Sequence, residues 1–203
     1  MPAHPPQPSQ RKLILASASP RRRELLTEAG YRFEIDPADV DESDVPADLP
    51  PAGIAELLAA RKAAVVAARH PAHVTLAADT VVAHGTQTLG KAVDADDARR
   101  ILRTLSGSRH EVITAIRVVC PASKIELSAT VRSTVIMRPM SDDELQRYIA
   151  TGLWEGKAGA YGIQDNDPFV TRIEGSLTNI VGLPMEATKE LLIKAGIAPV
   201  TAI

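Results

Sequence analysis

An apolar strand that runs directly into the start of a helix constrains the fold of this chain more than any other feature. Residues 12–15 are Lys-Leu-Ile-Leu, Ser19 can serve as the N-cap of the helix, and Pro20 takes the first helical position. Gly30 is suited to end the same helix. A strand–turn–helix unit of this kind is typical of proteins in which helices pack on a sheet.

The first turn of that helix contains Arg21, Arg22 and Arg23. A cation at the positive end of a helix dipole is unfavourable by roughly 0.3–1 kcal/mol when exposed, unless an anion binds there. Free backbone N–H groups, guanidinium groups and the hydroxyls of Ser17 and Ser19 together suit a phosphate group. The segment therefore predicts a phosphate-binding site, and a solvated basic turn is the alternative that it leaves open.

Strands and helices alternate along most of the remaining sequence. Apolar periodicity and capping residues predict helices at about 20–29, 54–69, 94–105, 141–152 and 184–195. Runs rich in β-branched residues predict strands at about 31–36, 74–83, 112–119, 125–137 and 169–173. Because crossovers and hairpins both occur, we expect an α/β fold, with a mixed twisted sheet and flanking helices.

Composition argues against several classes of protein. The chain has 203 residues and a formal net charge of −2, so a general nucleic-acid binder is disfavoured. No stretch approaches the ~20 apolar residues of a membrane span, and the single cysteine, Cys120, fits a reducing cytoplasm. Residues 1–11 are rich in proline and predict a disordered tail. We expect one domain over residues 12–203, in a cytoplasmic protein.

Asp79 is the second strong signal, because it lies within the apolar strand predicted at 74–83. An unpaired carboxylate is costly to bury, so it needs a metal ion, a cationic partner or a position at the strand's end. It can take part in catalysis, and a structural acid paired with a lysine is the alternative.

Two lysines and an acidic loop complete a candidate site. Lys62 and Lys91 could pair with Asp79 or with a phosphate, although either lysine alone would be taken as a surface residue. The loop at 37–51 contains Asp41 and Glu42. Together with the arginines, these residues suggest a site for a polyphosphate and a divalent cation, Mg²⁺ or Mn²⁺, which prefers carboxylate oxygens. Asp79 and Glu42 are the candidate metal ligands.

Several ordered blocks of the chain resemble the Maf-like nucleoside triphosphate pyrophosphatases. The resemblance covers nearly everything from Lys12 to Gly196. The matching blocks are LILASASPRRRELL at 13–26, ADTVV at 78–82, Gly90-Lys91, LSGSRHEVITA at 105–115, KAGAYGIQ at 157–164 and IEGSLTNIVGLP at 173–184.

This resemblance implies hydrolysis of a nucleoside triphosphate at the α–β anhydride, with a divalent cation, in a deep cleft between two lobes. It implies that Asp79 is the proton acceptor. The phosphate-binding and specificity positions that it implies are Ser17, Arg21, Arg22, Lys62, Thr80, Lys91 and Gln164. The AGAYGIQ form of the fifth block resembles the branch that acts on dTTP and UTP.

Gln164 also attracts attention on local grounds, because a carboxamide suits the imide edge of a pyrimidine base. An ordinary loop glutamine is equally compatible with its position. Two other functions stay open at this point: hydrolysis of purine triphosphates of the inosine or 7-methylguanosine type, and a non-catalytic nucleotide-binding regulator of septum formation. The expected partner is the nucleotide, without nucleic acid or membrane, and a homodimer is an option.

Overall fold

The strands form one mixed sheet in the computed structural model, which describes residues 11–46, 48–163 and 169–200. The seven strands in these residues are β1 Leu13–Leu15, β2 Phe33–Ile35, β3 Val74–His84, β4 Gln87–Leu89, β5 Arg109–Cys120, β6 Ile125–Met137 and β7 Val170–Glu174. Their order is β2-β1-β3-β5-β6-β7, and β4 pairs with β3. The pairs that β1 forms with β2 and β3 are parallel, and the other pairs are antiparallel.

Helices cover both faces of the sheet. The described helices are α1 Pro20–Glu28, α2 Pro51–Arg69, α3 Ala95–Leu105, α4 Asp142–Ala150, α5 Leu177–Val181 and α6 Met185–Lys194. Side chains alternate along a strand, so residues 77, 81 and 83 of β3 face α2, while residues 74, 76, 78 and 82 face the opposite layer. Among the described helices, none combines the length and the apolar character that a membrane crossing requires.

The layer opposite α2 contains two separate apolar cores. One core joins β1, α1 and α6 to one half of the sheet, and the other joins β4, α3 and α4 to the other half. Polar residues separate the two cores on this face of the sheet: Thr80 on β3, Thr114 on β5 and Ser133 on β6. A cleft of about 530 Å³ opens at this junction. The α/β class and the cleft between two lobes, both expected from the sequence, are confirmed.

Most of the predicted elements are present within a few residues of their expected limits. The helix predicted from residue 54 begins earlier, at Pro51. Proline does not prevent this start, since it is tolerated in a first helical turn. Two elements, β4 and α5, were not predicted, because three and five residues are too few to show a period. Residues 1–10 of the predicted tail lie outside the described residues. Cys120 is buried, as its apolar surroundings indicate.

Candidate active site

The cleft brings together residues that lie far apart in the sequence. Its lining comes from residues 16–22, 37–38, 42, 91, 155–158, 161–163 and 180–182, from three positions on β3 and from one position each on α2 and β5. Nine of the residues predicted from the sequence line it: Ser17, Ser19, Arg21, Arg22, Glu42, Lys62, Asp79, Thr80 and Lys91. Gln164 lies outside the residues that the structure describes. Asp41 is exposed, is absent from this lining and accepts hydrogen bonds from Ser43.

Arg22 is held in one orientation by three hydrogen bonds. Its Nη1 donates to Ser17 Oγ at 3.2 Å, its Nη2 to Thr80 Oγ1 at 3.1 Å, and its Nε to the Gly182 carbonyl at 2.8 Å. Burial lowers the pKa of this guanidinium, and the nearby Asp79 carboxylate opposes the shift. An arginine does not lose its proton in proteins, so Arg22 is a fixed positive charge at the floor of the cleft.

The residues near Arg22 in the sequence differ from it in exposure and in hydrogen bonding. Arg21 is half-buried and lines the cleft, and no residue in the described part of the chain pairs with its guanidinium. Arg23 is exposed and lies outside the cleft lining. Ser19 takes the N-cap position with extended backbone, but its side chain makes no capping hydrogen bond. Its backbone N–H instead donates to Ser17 Oγ at 3.2 Å.

Asp79 lies on the side of β3 that faces α2, and it is 6% exposed. Lys62 projects from α2 toward it, with Nζ 2.5 Å from Asp79 Oδ1. Burial raises the pKa of Asp79, while the positive charge of Lys62 and its hydrogen bond lower it. The carboxylate therefore has the cationic partner that a buried acid requires. This pair suits both a role in catalysis and the structural alternative.

Glu42 joins this pair to Lys91 on the other side of the cleft. Its Oε1 lies 2.7 Å from Lys62 Nζ, and its Oε2 lies 3.2 Å from Lys91 Nζ. Burial acts to raise the pKa of Glu42, but the two lysines outweigh it and lower this pKa. Lys62 thus bridges two carboxylates from different elements, which brings Asp79 and Glu42 to one ammonium group.

Lys91 is positioned by backbone contacts with the glycine-rich segment. It forms an isolated antiparallel bridge with Ala158, and the N–H of Gly159 donates to the Gly90 carbonyl at 3.0 Å. The same segment brings Lys157, which is 9% exposed, into the cleft lining. Lys157 was part of a resembling block but was not proposed for the site. The sequence signal for it was a lysine beside glycines. Its near-complete burial appears only in the structure.

A line of buried polar groups supports the floor of the cleft, and sequence reasoning missed most of it. Thr80 Oγ1 lies 2.9 Å from Thr114 Oγ1, and this second hydroxyl donates to the Asn179 carbonyl at 3.1 Å. The Asn179 side chain donates to Ser133 Oγ at 2.9 Å and to the Val112 carbonyl at 3.0 Å. Threonine in a β-branched run reads as an ordinary strand residue, so only the observed register of β3 and β5 reveals the line.

Comparison with known proteins shows the family of this chain. The family model described as "Maf-like protein" matches residues 12–195. A protein from Anaeromyxobacter dehalogenans (strain 2CP-1) named "dTTP/UTP pyrophosphatase" is 48% identical over 188 residues, which cover 91% of this chain and 94% of that protein.

Two further relatives bear the same name. The protein from Rhodospirillum rubrum is 47% identical over 189 residues, covering 92% of this chain and 89% of its own length. The protein from Cereibacter sphaeroides is 50% identical over 187 residues, covering 91% and 95% respectively. Given the match to the family model and these identities, the chain belongs to the Maf-like protein family.

Proposed function

We propose that this protein hydrolyses dTTP and UTP to the nucleoside monophosphate and pyrophosphate. The observation that carries the proposal is the cleft, whose lining brings Arg22, Lys62 and Lys91 together with the buried carboxylate of Asp79. A cluster of cations suits a polyphosphate, and a buried carboxylate among them suits proton transfer. The relatives named dTTP/UTP pyrophosphatase support the choice of substrate.

The cationic groups would bind the triphosphate and stabilise the charge that develops on the leaving pyrophosphate. Arg22 is already oriented by three protein acceptors, so little ordering is needed when the substrate binds. Arg21 adds a guanidinium without a partner among the described residues, which leaves its donors available for phosphate oxygens. Lys91 would exchange its contact with Glu42 for a phosphate.

A divalent cation fits the donor set of the cleft. Asp79 and Glu42 both contact Lys62 Nζ, at 2.5 and 2.7 Å, so their carboxylates lie close together and a divalent cation would share them with this ammonium. Among the described residues, no group of three or more His, Cys, Asp or Glu side chains could hold a metal ion. Two carboxylates completed by substrate phosphates are a common way of holding Mg²⁺. When bound, the ion would lower the pKa of water and neutralise phosphate charge.

Asp79 would accept the proton of the attacking water. The water oxygen forms a bond to the α-phosphorus, the bond between that phosphorus and the bridging oxygen breaks, and pyrophosphate leaves. Burial raises the pKa of Asp79, which makes its carboxylate a stronger base than an exposed aspartate, while the charge and hydrogen bond of Lys62 oppose this rise. The same lysine can then stabilise the product charge.

We also propose that the protein acts in the cytoplasm. Cys120 is a buried free thiol, and its surroundings include Pro71 and Ser123. A single unpaired cysteine fits the reducing cytoplasm. That compartment is where the nucleoside triphosphates are used.

A panel of nucleotides tests the proposed substrate. We expect release of pyrophosphate in the presence of Mg²⁺ or Mn²⁺, with higher kcat/KM for dTTP and UTP than for ITP or 7-methyl-GTP. Higher kcat/KM for either purine nucleotide would replace the proposed base preference. Tight binding of nucleotides without pyrophosphate release would favour the non-catalytic alternative.

Arg22→Ala is expected to lower kcat/KM for dTTP by about 10- to 100-fold, since hydrogen bonds to charged groups contribute about 1.5–3 kcal/mol. Arg23→Ala is the matched control, because Arg23 is the exposed neighbour outside the cleft lining. Steady-state kinetics and thermal unfolding of both variants make the comparison. Unchanged kcat/KM in Arg22→Ala, with a lower thermal midpoint, would assign Arg22 a structural role through its three hydrogen bonds.

A further inference from the structure

The wall of the cleft formed by Tyr161 depends on a buried histidine that the proposed reaction does not use. We propose that His110 is a positioning residue, acting through Tyr161 on the nucleoside-facing wall of the cleft. The inference rests on the proposed function, because it assigns one part of the cleft to the nucleoside of that substrate.

A chain of hydrogen bonds, all donated in the same direction, runs from Tyr161 through His110 and Ser108 to the Leu105 carbonyl. Ser108 Oγ donates to the Leu105 carbonyl at 2.8 Å, which uses its only proton. The same oxygen, 3.1 Å from His110 Nδ1, must then accept the ring proton. His110 Nε2 is left as an acceptor, and the Tyr161 hydroxyl donates to it at 2.9 Å. The chain therefore fixes both the tautomer of His110 and the direction of the Tyr161 hydroxyl.

The burial of His110 keeps this chain in one state. The residue is 2% exposed, and burial lowers its pKa to about 4, with a smaller contribution from His84. The imidazole is therefore neutral near pH 7, and its Nε2 can accept a hydrogen bond from the Tyr161 hydroxyl. The two rings also pack edge to face, with centroids 5.6 Å apart and an interplanar angle of 81°.

The backbone before Tyr161 needs such an anchor. Ala160 is fully buried and has a positive φ of 60°, which is unusual for a residue with a side chain. Gly159 also has a positive φ, and a Cβ atom there would lie 2.9 Å from Val82 Cγ2 and 3.1 Å from Tyr161 Cε1. Such conformations persist only where the surroundings hold them. The Tyr161–His110 hydrogen bond supplies this restraint.

The wall that Tyr161 belongs to is apolar. Val82, Val112 and Ile180 line the same cleft and, like Tyr161, belong to or pack against the second core, which contains α3 and α4. The predicted phosphate ligands come instead from the β1–α1 turn, from α2 and from residues 80 and 91. Apolar side chains suit a base or a deoxyribose better than a triphosphate. This division assigns the Tyr161 wall to the nucleoside.

Binding of two product fragments to variants tests the proposal without requiring turnover. Tyr161→Phe removes only the hydroxyl, and His110→Phe removes the acceptor. We expect both to raise the Kd for dTMP about tenfold while the Kd for inorganic pyrophosphate stays within twofold. In His110→Gln, a side-chain carbonyl can accept from Tyr161, and we expect the Kd for dTMP to return to within threefold of wild type. Tyr148→Phe, a buried tyrosine of the same core outside the cleft lining, is the control.

Kinetics and a double variant complete the test. We expect a higher KM for dTTP in Tyr161→Phe with kcat within threefold. The Kd for dTMP of the double variant Tyr161→Phe/His110→Phe is expected to be no higher than that of the weaker-binding single variant, because both changes break the same hydrogen bond. A lower thermal midpoint with unchanged dTMP binding would overturn the proposal, as would equal weakening of dTMP and pyrophosphate or the absence of dTMP binding to the wild-type protein. Failure of the proposed function would show separately, as a wild-type protein that binds dTMP but releases no pyrophosphate.

Discussion

Asp79→Asn is expected to lower kcat for dTTP at least a hundredfold while nucleotide binding stays nearly intact. Asparagine keeps the size of the side chain and much of its hydrogen bonding, but it cannot accept a proton from water or contribute negative charge to a cation. Proton transfer by one positioned group typically contributes about 10²–10⁴-fold to a rate. The loss therefore falls on the chemical step and appears in kcat more than in KM.

The structural alternative for Asp79 predicts a different outcome. Lys62 Nζ lies 2.5 Å from Asp79 Oδ1, so the substitution would leave a buried ammonium without one of its two carboxylate partners. A thermal midpoint lowered by several degrees, with near-normal kcat, would refute the catalytic assignment. Asp41→Asn is the matched control, because this substitution makes the same chemical change at an exposed residue of the acidic loop, outside the cleft lining.

Removal of divalent cations is expected to abolish hydrolysis, and addition of Mg²⁺ or Mn²⁺ is expected to restore it. Asp79 and Glu42 are the carboxylates of the cleft that would hold the ion. When bound, it would neutralise part of the phosphate charge and lower the pKa of the attacking water. Activity measured against free metal concentration, after dialysis against a chelator, makes the comparison.

Glu42→Gln adds a residue-level test of the same prediction. We expect it to raise the metal concentration required for half-maximal activity by about tenfold or more, in line with the losses seen when metal sites are perturbed. Glu56→Gln is the control, because Glu56 is an exposed residue of α2 that accepts a hydrogen bond from Thr130 and lies outside the cleft lining. Full activity after exhaustive chelation would contradict the proposal for the metal.

The sequence was informative where one residue's local setting was unusual. Arginines at a helix start and an aspartate in an apolar strand are both locally unfavourable, and both residue types line the cleft in the structure. The alternation of elements was equally readable, because α2, β3, β5 and β6 are each longer than ten residues. The strands expected at 112–119 and 125–137 are present as β5 and β6, which pair antiparallel.

The remaining features depend on tertiary contacts that no local pattern reveals. Thr114 and Asn179 are ordinary residues in their segments, and their importance appears only when β5 and α5 meet below Thr80. Glu42 was proposed from the acidic loop on sequence alone, and its contact with Lys62, which brings it beside Asp79, appears only in the structure. The His110–Tyr161 bond joins residues 51 positions apart in the chain.

The products formed from dTTP test the central claim most directly. The wild-type protein is incubated with dTTP and Mg²⁺, and the nucleotides and phosphates are separated by ion-exchange chromatography through the time course. The account predicts dTMP and pyrophosphate in equal amounts, without dTDP, because the cations and Asp79 act on the α–β anhydride. Equal amounts of dTDP and inorganic phosphate, or dTTP that stays intact, would contradict it.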